Sequence, residues 1–230
     1  MRFPEDFPIA KRWKPEYPEL LQLYSVPTPN GQKVSIMLEE TGLSYEGHRL
    51  TLSDADVKSE AFLSLNPNNK IPAIIDPDGP DGAIGLFESG AILQYLAEKT
   101  GRFGGEGAAR HEVNQWLMWQ MGGLGPMMGQ MGHFVKFAAD KTSDDYARSR
   151  YVGEAKRLLG VLDGHLDGRE WVAGDYSIAD MAIGPWLGVL DFYGAKDVVG
   201  WSELTQVPAY LDRFMARPAV QRGKVKPEEG

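Results

Sequence analysis

The chain has no cysteine among its 230 residues, which excludes disulfides, thiolate metal sites and any mechanism with a protein thiol as nucleophile. Sulfur chemistry here requires a sulfur carried by the ligand. No apolar run approaches the roughly 18 residues that cross a bilayer, and the first eight residues, MRFPEDFP, lack the apolar centre of a signal peptide, so no membrane association and a cytoplasmic location are expected. Lysine and arginine are never clustered and the formal charge is −8, the reverse of what a phosphate backbone demands, so no nucleic-acid partner is expected. Only four histidines occur, His48, His111, His133 and His165, with none of the spacings of metal ligands, and no metal is expected. They read as surface or satisfied helix histidines. What remains is ample: 43% of the residues are hydrophobic, enough over this length for one large core or two smaller ones.

Residues 1–18 are rich in proline and charge without periodicity and read as an N-terminal arm rather than a folded element, one that lies over the body or over a partner. The folded pattern starts at residue 19. Leu20 to Val26 reads as a strand, and PTPNG at 27–31 stops it and ends in a helix cap. Val34, Met37, Leu38 and Thr41 mark one helical face that closes at Gly42, and Tyr45 to Leu50 forms a second strand, completing a βαβ unit. Ile71 to Ile75 and Ile84 to Phe87 flank a Gly/Pro/Asp turn as a hairpin, and Ile92, Tyr95 and Leu96 line a helix ending at Gly101. The order βαβ then ββα gives an α/β domain over residues 19–101.

Beyond a linker at Gly104 to Gly107, the pattern turns helical over residues 108–230. Glu112 to Met121 carries Trp116, Leu117, Met118 and Trp119, too apolar all round for a helix with a wet face, so it reads as central or as a subunit interface. GGLGPMMG at 122–129 should loosen or kink that helix. Ala155, Leu158, Leu159, Leu162 and Leu166 form an apolar stripe on the next one. Ser177 to Asp180 reads as a capping box, with Tyr176 and Met181 placed as a hydrophobic staple.

The chemistry concentrates in two segments. NPNNKIPAII at 66–75 contains an Ile71–Pro72 bond suited to the cis form, which would turn the carbonyl and amide of Ile71 outward. LFESGAILQYL at 86–96 puts Glu88 and Ser89 between a strand and a helix N-terminus, where hydroxyl and free amides favour a ligand carboxylate. Together they describe a site for a peptide-like ligand.

These segments, with the Ser-Ile-Ala-Asp box, resemble the cytosolic glutathione transferases over roughly residues 20–218. More narrowly, LYSVPTPNGQKV at 23–34, NNKIPA at 68–73 and QMGGLGPMMGQ at 120–130 resemble the bacterial nu-class members. The resemblance implies a thioredoxin-like α/β domain followed by an all-α domain, glutathione as co-substrate and a homodimer. It implies that the glutathione backbone pairs with Ile71 before cis-Pro72, that Glu88 and Ser89 take the γ-glutamyl carboxylate, and that Thr28 and Asn30 hold the sulfur. Donors at a helix start lower a thiol pKa below its free value of about 8.5. Seen without the resemblance, Asn30 is equally a plain helix cap, and Arg150, which matches an arginine reaching toward the glycyl end or a second glutathione, is equally a solvated helix charge.

Asn69, Lys70 and Lys33 stand as further cations or donors for the glycine carboxylate. One departure from the family pattern matters. Where relatives often carry glutamine ahead of the segment matching Ser59 to Phe62, this chain has Asp56, Val57 and Lys58, which leaves Lys58 as the substitute contact. The implied reaction is attack by the glutathione thiolate on a disulfide or on carbon, the first favoured by the nu-class likeness. Gly122 to Met131 either lines the electrophile site or packs the core. A non-catalytic interaction module and a dedicated dehalogenase or etherase stand as the alternatives.

Overall fold

In the computed structural model, which describes residues 6–141 and 145–228, the chain divides into two units, 1–100 with 218–230, and 101–217. The first is built on a four-stranded sheet in the order β2-β1-β3-β4, where β1 is Leu21–Ser25, β2 Tyr45–Arg49, β3 Ala73–Asp76 and β4 Ile84–Phe87. β1 and β2 are parallel, joined through α1 (Pro29–Thr41), while β3 runs antiparallel to both β1 and β4. This is the expected βαβ–ββα order, closed by α4 (Ser89–Thr100). α1 begins because Thr28 caps it and ends because Gly42 turns into the left-handed region at φ 74°.

Strand alternation sends Tyr24, Ala73 and Ile75 to one face, where they meet Phe62, Leu65 and Leu50. Leu23 and Ile74 alternate to the other. Two short helices absent from the sequence reading, α2 (Asp54–Val57) and α3 (Glu60–Leu63), bring Val57 and Phe62 into the first face. Each is a single turn, too short to show a period.

The arm lies over the body of the first unit. Its residues 1–5 lie outside the described residues, but Pro8–Lys11 forms a 3₁₀ turn, and Phe7 and Ile9 join the core beside Phe62. Phe7 and Leu65 press so closely on Gly85 that a Cβ there would collide with both. The arm is then fastened by polar contacts: Arg12 pairs with Asp56, and the Glu46 carboxylate accepts the backbone N–H groups of Glu16 (2.9 Å) and Tyr17 (2.8 Å). The C-terminal tail, expected with the helical domain, likewise belongs to the first unit. α10 (Pro218–Gly223) lies on α1, with Gly223 against Ile36 and the Ser35 hydroxyl donating to the Gly223 carbonyl at 2.6 Å.

The second unit is helical: α5 (Ala108–Trp119), α6 (Gly125–Gly132), α7 (Tyr146–His165), α8 (Ile178–Tyr193) and α9 (Val207–Met215). The expected disruption at the glycine run takes the form of π turns at Gln120–Leu124 and His133–Phe137, on either side of α6. Gly132 lies against the Tyr193 ring of α8 so closely that a Cβ there would collide with it, and Gly125 and Gly129, at helical spacing before it, lie near Trp186 of the same helix. α5 differs from expectation. It buries Val113, Trp116 and Leu117 but leaves Met118 exposed, with Glu112 and Gln115 completing a wet face.

The α7 stripe Ala155, Leu158, Leu159 and Leu162 is buried as expected, and Asp163, one residue on, accepts the N–H groups of Thr205, Gln206 and Val207, capping α9 from a distance. The capping box is present: Ser177 and Asp180 exchange bonds at the start of α8, and Asp180 also accepts from the Val172 N–H at 3.1 Å and the Tyr210 hydroxyl at 2.9 Å. Burial pushes the Asp180 carboxyl up to about 6, against the pull of these donors. Replacing it by alanine leaves several buried donors without a partner, each a loss of about 1–3 kcal/mol. Asp180→Ala is therefore expected to lower unfolding free energy by about 3 kcal/mol or more in urea titration, and Asp180→Asn, which keeps an acceptor oxygen, by less. Equal stability of all three proteins would contradict the role given to this carboxylate.

Candidate active site

The sheet register decides where the candidate residues meet. Tyr24 of β1, Ala73 of β3 and Phe87 of β4 form one continuous cross-strand row at the end of the ladder. Just past that row the chain runs on to Thr28 and Asn30 from β1, back to Ile71 and Pro72 from β3, and on to Glu88 and Ser89 from β4. Three segments far apart in sequence thus leave the sheet at the same end, within a few residues of a shared row. Carboxyl ends of parallel strands, where loops and helix N-termini converge, are the usual ligand positions of such folds.

The first segment is held by its own backbone. Thr28 is the N-cap of α1: its hydroxyl accepts from the Gly31 N–H at 3.4 Å, its carbonyl accepts from Gln32 at 2.8 Å, and its own N–H turns back to Val26 at 2.7 Å. Asn30 is the second residue of the helix and so is not its N-cap, which is Thr28. Gly31 has no freedom to be anything else, because a Cβ there would strike the Val26 carbonyl and the Ser25 hydroxyl. Tyr24, four residues before Thr28, cannot share their role. Its hydroxyl is buried in the core without a hydrogen-bond partner among the described residues, its ring stacks on His48 at 4.6 Å, and burial drives its pKa upward.

The second segment is the approach to β3. The Ile71–Pro72 bond is cis, and among the described residues the Ile71 backbone makes no hydrogen bond. An unpaired N–H and C=O beside a sheet is the template on which an extended peptide adds. Asn66, only 2% exposed, shapes the turn that leads there: its amide donates to the Lys70 carbonyl, its side-chain oxygen accepts from Asn68 at 2.9 Å and its carbonyl from Asn69 at 3.1 Å. Asn66 is a residue the sequence reading passed over. Its signal was available, since an asparagine before proline commonly organises its own turn. Asn69 takes a left-handed φ of 52° and Lys70 is exposed, so both remain available at the mouth of this turn.

The third segment is the start of α4. Glu88 has φ 70°, an uncommon conformation for a residue with a side chain, and its carbonyl accepts from the Ile92 N–H at 2.9 Å. Ser89, 4% exposed, is the first helical residue. Its hydroxyl lies 3.3 Å from the Nζ of Lys33, a lysine 1% exposed on α1. Lys33 was expected at the glycine carboxylate; it sits instead beneath Ser89. Burial pushes its pKa down to about 7, with Glu88 acting in the opposite sense.

Two further candidates lie on helix surfaces. Lys58 is the exposed end of α2 and pairs with Asp54 at 2.9 Å, while Asp56 is engaged by Arg12 and by the Thr51 N–H and hydroxyl. This stretch anchors the arm. Arg150 is an exposed residue of α7 in the second unit, one turn before Glu154. In the glycine and methionine segment, Met128 and Met131 are fully buried core residues, and Met121 and Met127 are half-buried. Among the described residues no cluster of potential metal ligands occurs.

Residues 19–98 match the family described as the glutathione S-transferase N-terminal domain, and residues 125–218 the corresponding C-terminal domain. The chain belongs to the glutathione S-transferase family. It is 42% identical to the Escherichia coli K12 disulfide-bond oxidoreductase YghU, over 96% of this chain and 80% of that protein, and 42% identical to YfcG of the same organism, over 92% and 97%. Among solved structures it is similar to a glutathione transferase from Pseudomonas putida with one glutathione disulfide bound per subunit (TM-score 0.97, 53% identity, 99% of this chain and 100% of that one). It is also similar to one from Burkholderia graminis with two glutathione molecules bound per subunit (TM-score 0.96, 56% identity, 100% and 98%). The family assignment and the thioredoxin-like plus all-helical architecture agree with the expectation from sequence.

The displaced pKa of Lys33 has a consequence for stability. Between about pH 7 and the ordinary lysine value of about 10.4 the unfolded chain holds a proton that the folded chain lacks, so stability contributed through Lys33 rises with pH across that window. Urea unfolding of the wild type should therefore gain on Lys33→Met between about pH 7 and pH 9.5, by at most about 1.4 kcal/mol per unit. Parallel pH profiles would contradict the burial of an ionisable amine at this position.

Proposed function

We propose that this chain is a glutathione-dependent enzyme whose bound glutathione is activated as a thiolate and attacks the sulfur of a disulfide. The observation that carries the reading is the shared exit row Tyr24–Ala73–Phe87, which gathers the free backbone of Ile71, the Ser89 helix start and the Thr28 helix start around one end of the sheet. The Ile71 N–H and C=O pair with the peptide backbone of glutathione. Glu88 and Ser89 receive its γ-glutamyl group, the amides and hydroxyl at the start of α4 favouring the carboxylate. Asn69 and Lys70 are available for the glycyl end. Thr28 and Asn30 donate to the sulfur at the start of α1, where the helix dipole favours negative charge.

The reaction needs no protein thiol. The glutathione thiolate attacks one sulfur of the substrate disulfide, an S–S bond forms as the old one breaks, and the substrate's other sulfur leaves as a thiolate. A second glutathione then attacks the mixed disulfide, so that the substrate is reduced to two thiols and the two glutathiones are oxidised to glutathione disulfide. Attack on carbon, with release of a leaving group, is the weaker companion activity. Disulfide chemistry is favoured because the relatives YghU and YfcG carry disulfide-bond oxidoreductase names. The working form is proposed as a cytoplasmic homodimer, and the half-buried Met121 and Met127 as part of the electrophile site. Arg150 is retained as a contact to the glycyl end or to a second glutathione.

Asn30 is partly exposed and is not needed as a cap, so removing its amide should affect the chemistry rather than the fold. One donor to a developing anionic charge is worth about 2.7–4 kcal/mol in an enclosed site. Asn30→Ala is expected to lower the turnover of glutathione-dependent disulfide reduction at least tenfold, with little change in melting temperature. Wild-type turnover in this variant would remove Asn30 from the mechanism.

A further inference from the structure

We propose that Gln32 is a positioning residue for the sulfur site, its side-chain amide fixing the peptide plane ahead of Thr28 and tying that plane to the C-terminal tail. The inference rests on the glutathione reading of the site and deepens it. Gln32 stands one turn above the cap of α1, at the helix position that meets the residue before the cap, Pro27, across the first turn. An apolar pair often occupies these two positions. Here the contact is polar: the Gln32 Nε2 donates to the Pro27 carbonyl at 3.3 Å and to the Lys224 carbonyl at 3.0 Å.

Pro27 and Thr28 share one peptide plane, and both of its polar ends are engaged. Its N–H, that of Thr28, donates to the Val26 carbonyl at 2.7 Å and closes a three-residue turn. Its C=O, that of Pro27, accepts from Gln32. The inner end has little room to move, because the Val26 carbonyl is packed directly against Gly31. The outer end is held by the Gln32 side chain. The tilt of this plane sets the direction in which Thr28 leaves the backbone, and a hydrogen bond weakens steeply as its angle closes. Losing the Gln32 bond therefore leaves Thr28 in place but poorly aimed at a thiolate.

The tail keeps the amide in that orientation. Lys224 follows α10, its N–H bonded to the Val220 carbonyl at 2.9 Å, and the preceding carbonyl, that of Gly223, accepts from the Ser35 hydroxyl at 2.6 Å. Two neighbouring tail carbonyls are thus bound by two side chains three residues apart on one face of α1. A side chain bonded to Pro27 alone could swing about its own torsions, and the second bond to Lys224 stops that. Both bonds need a donor. The amide nitrogen has two N–H groups for the two carbonyls, whereas the reversed amide, or a glutamate, would set oxygen against oxygen.

The test compares the full-length wild type, Gln32→Met and Ser35→Ala in three readouts: the thiolate midpoint of bound glutathione by ultraviolet absorbance, the affinity for S-methylglutathione by calorimetry, and the melting temperature. Methionine keeps the length of glutamine and loses both donors. Gln32→Met should raise the midpoint by about half a unit, about a threefold loss of thiolate below the midpoint, and lower turnover in disulfide reduction by a similar factor. S-methylglutathione, whose sulfur is blocked and whose backbone and carboxylate fall to the Ile71 and Ser89 segments, should bind it as it binds the wild type. Ser35→Ala, which cuts the other bond from α1 to the tail, should lower the melting temperature without moving the midpoint. Gln32→Asn, too short to span both carbonyls, carries the test with the same expectations if the methionine variant does not fold. A wild-type midpoint in the folded position-32 variant, an equal shift in Ser35→Ala, or a loss of S-methylglutathione affinity as large as the loss of turnover overturns the proposal and leaves the glutathione site standing. A wild type that binds S-methylglutathione but leaves the thiol of glutathione titrating as in solution removes the sulfur site, one that binds neither removes the glutathione site itself, and in both cases this inference goes with it.

Discussion

The structure depends on one pairing: β3 lies antiparallel between β1 and β4, with Tyr24, Ala73 and Phe87 abreast in the final row. A slip of one residue in that register would send Tyr24 out of its core and Leu23 into it. It would also separate the three segments that leave the sheet beyond the row. Register is thus set by burial and inherited by the site. Gly31 reinforces it, since the contact of α1 with the Val26 carbonyl leaves room for no side chain.

Polar groups complete what packing begins. In the first unit they shape turns and helix starts or anchor the termini: Asn66 organises the turn before Ile71, Lys33 bonds Ser89, Asp56 and Glu46 hold the arm, and Ser35 holds the tail. In the second unit they end and begin helices. Asp163 caps α9 and Asp180 ties the start of α8 to Val172 and Tyr210, while the glycines of α6 admit the rings of Trp186 and Tyr193. Asp56 bonds Arg12 and Thr51, and Lys58 pairs with Asp54, so this stretch fastens the arm to the first unit.

What could be read from the sequence was what local signals encode. The PTPNG stop, the αL glycine at position 42, the ESG helix start, the capping box and the glycine break after Trp119 each act within a few residues, and each was legible. Which surface the arm covers was not legible, because its prolines mask the spacing of Phe7 and Ile9, whose burial depends on partners more than fifty residues away. The tail was assigned to the wrong unit for the same reason: nothing in residues 218–223 announces that Gly223 must fit against Ile36. α5 was read as apolar all round because four large residues in a row conceal that only one face of the helix is buried. Lys33 illustrates the limit for the site. It was read as a further cation for the glycine carboxylate, and only the packing of α1 against α4 buries it beside Ser89.

The central claim is that the start of α1 stabilises a thiolate on bound glutathione through Thr28 and Asn30. The measurement that tests it most directly is the ultraviolet thiolate absorbance of glutathione bound to the wild-type protein, followed as a function of pH. The account predicts a midpoint well below the free-thiol value of about 8.5, moving back toward it in Asn30→Ala. A bound thiol that titrates as it does in solution would contradict the account.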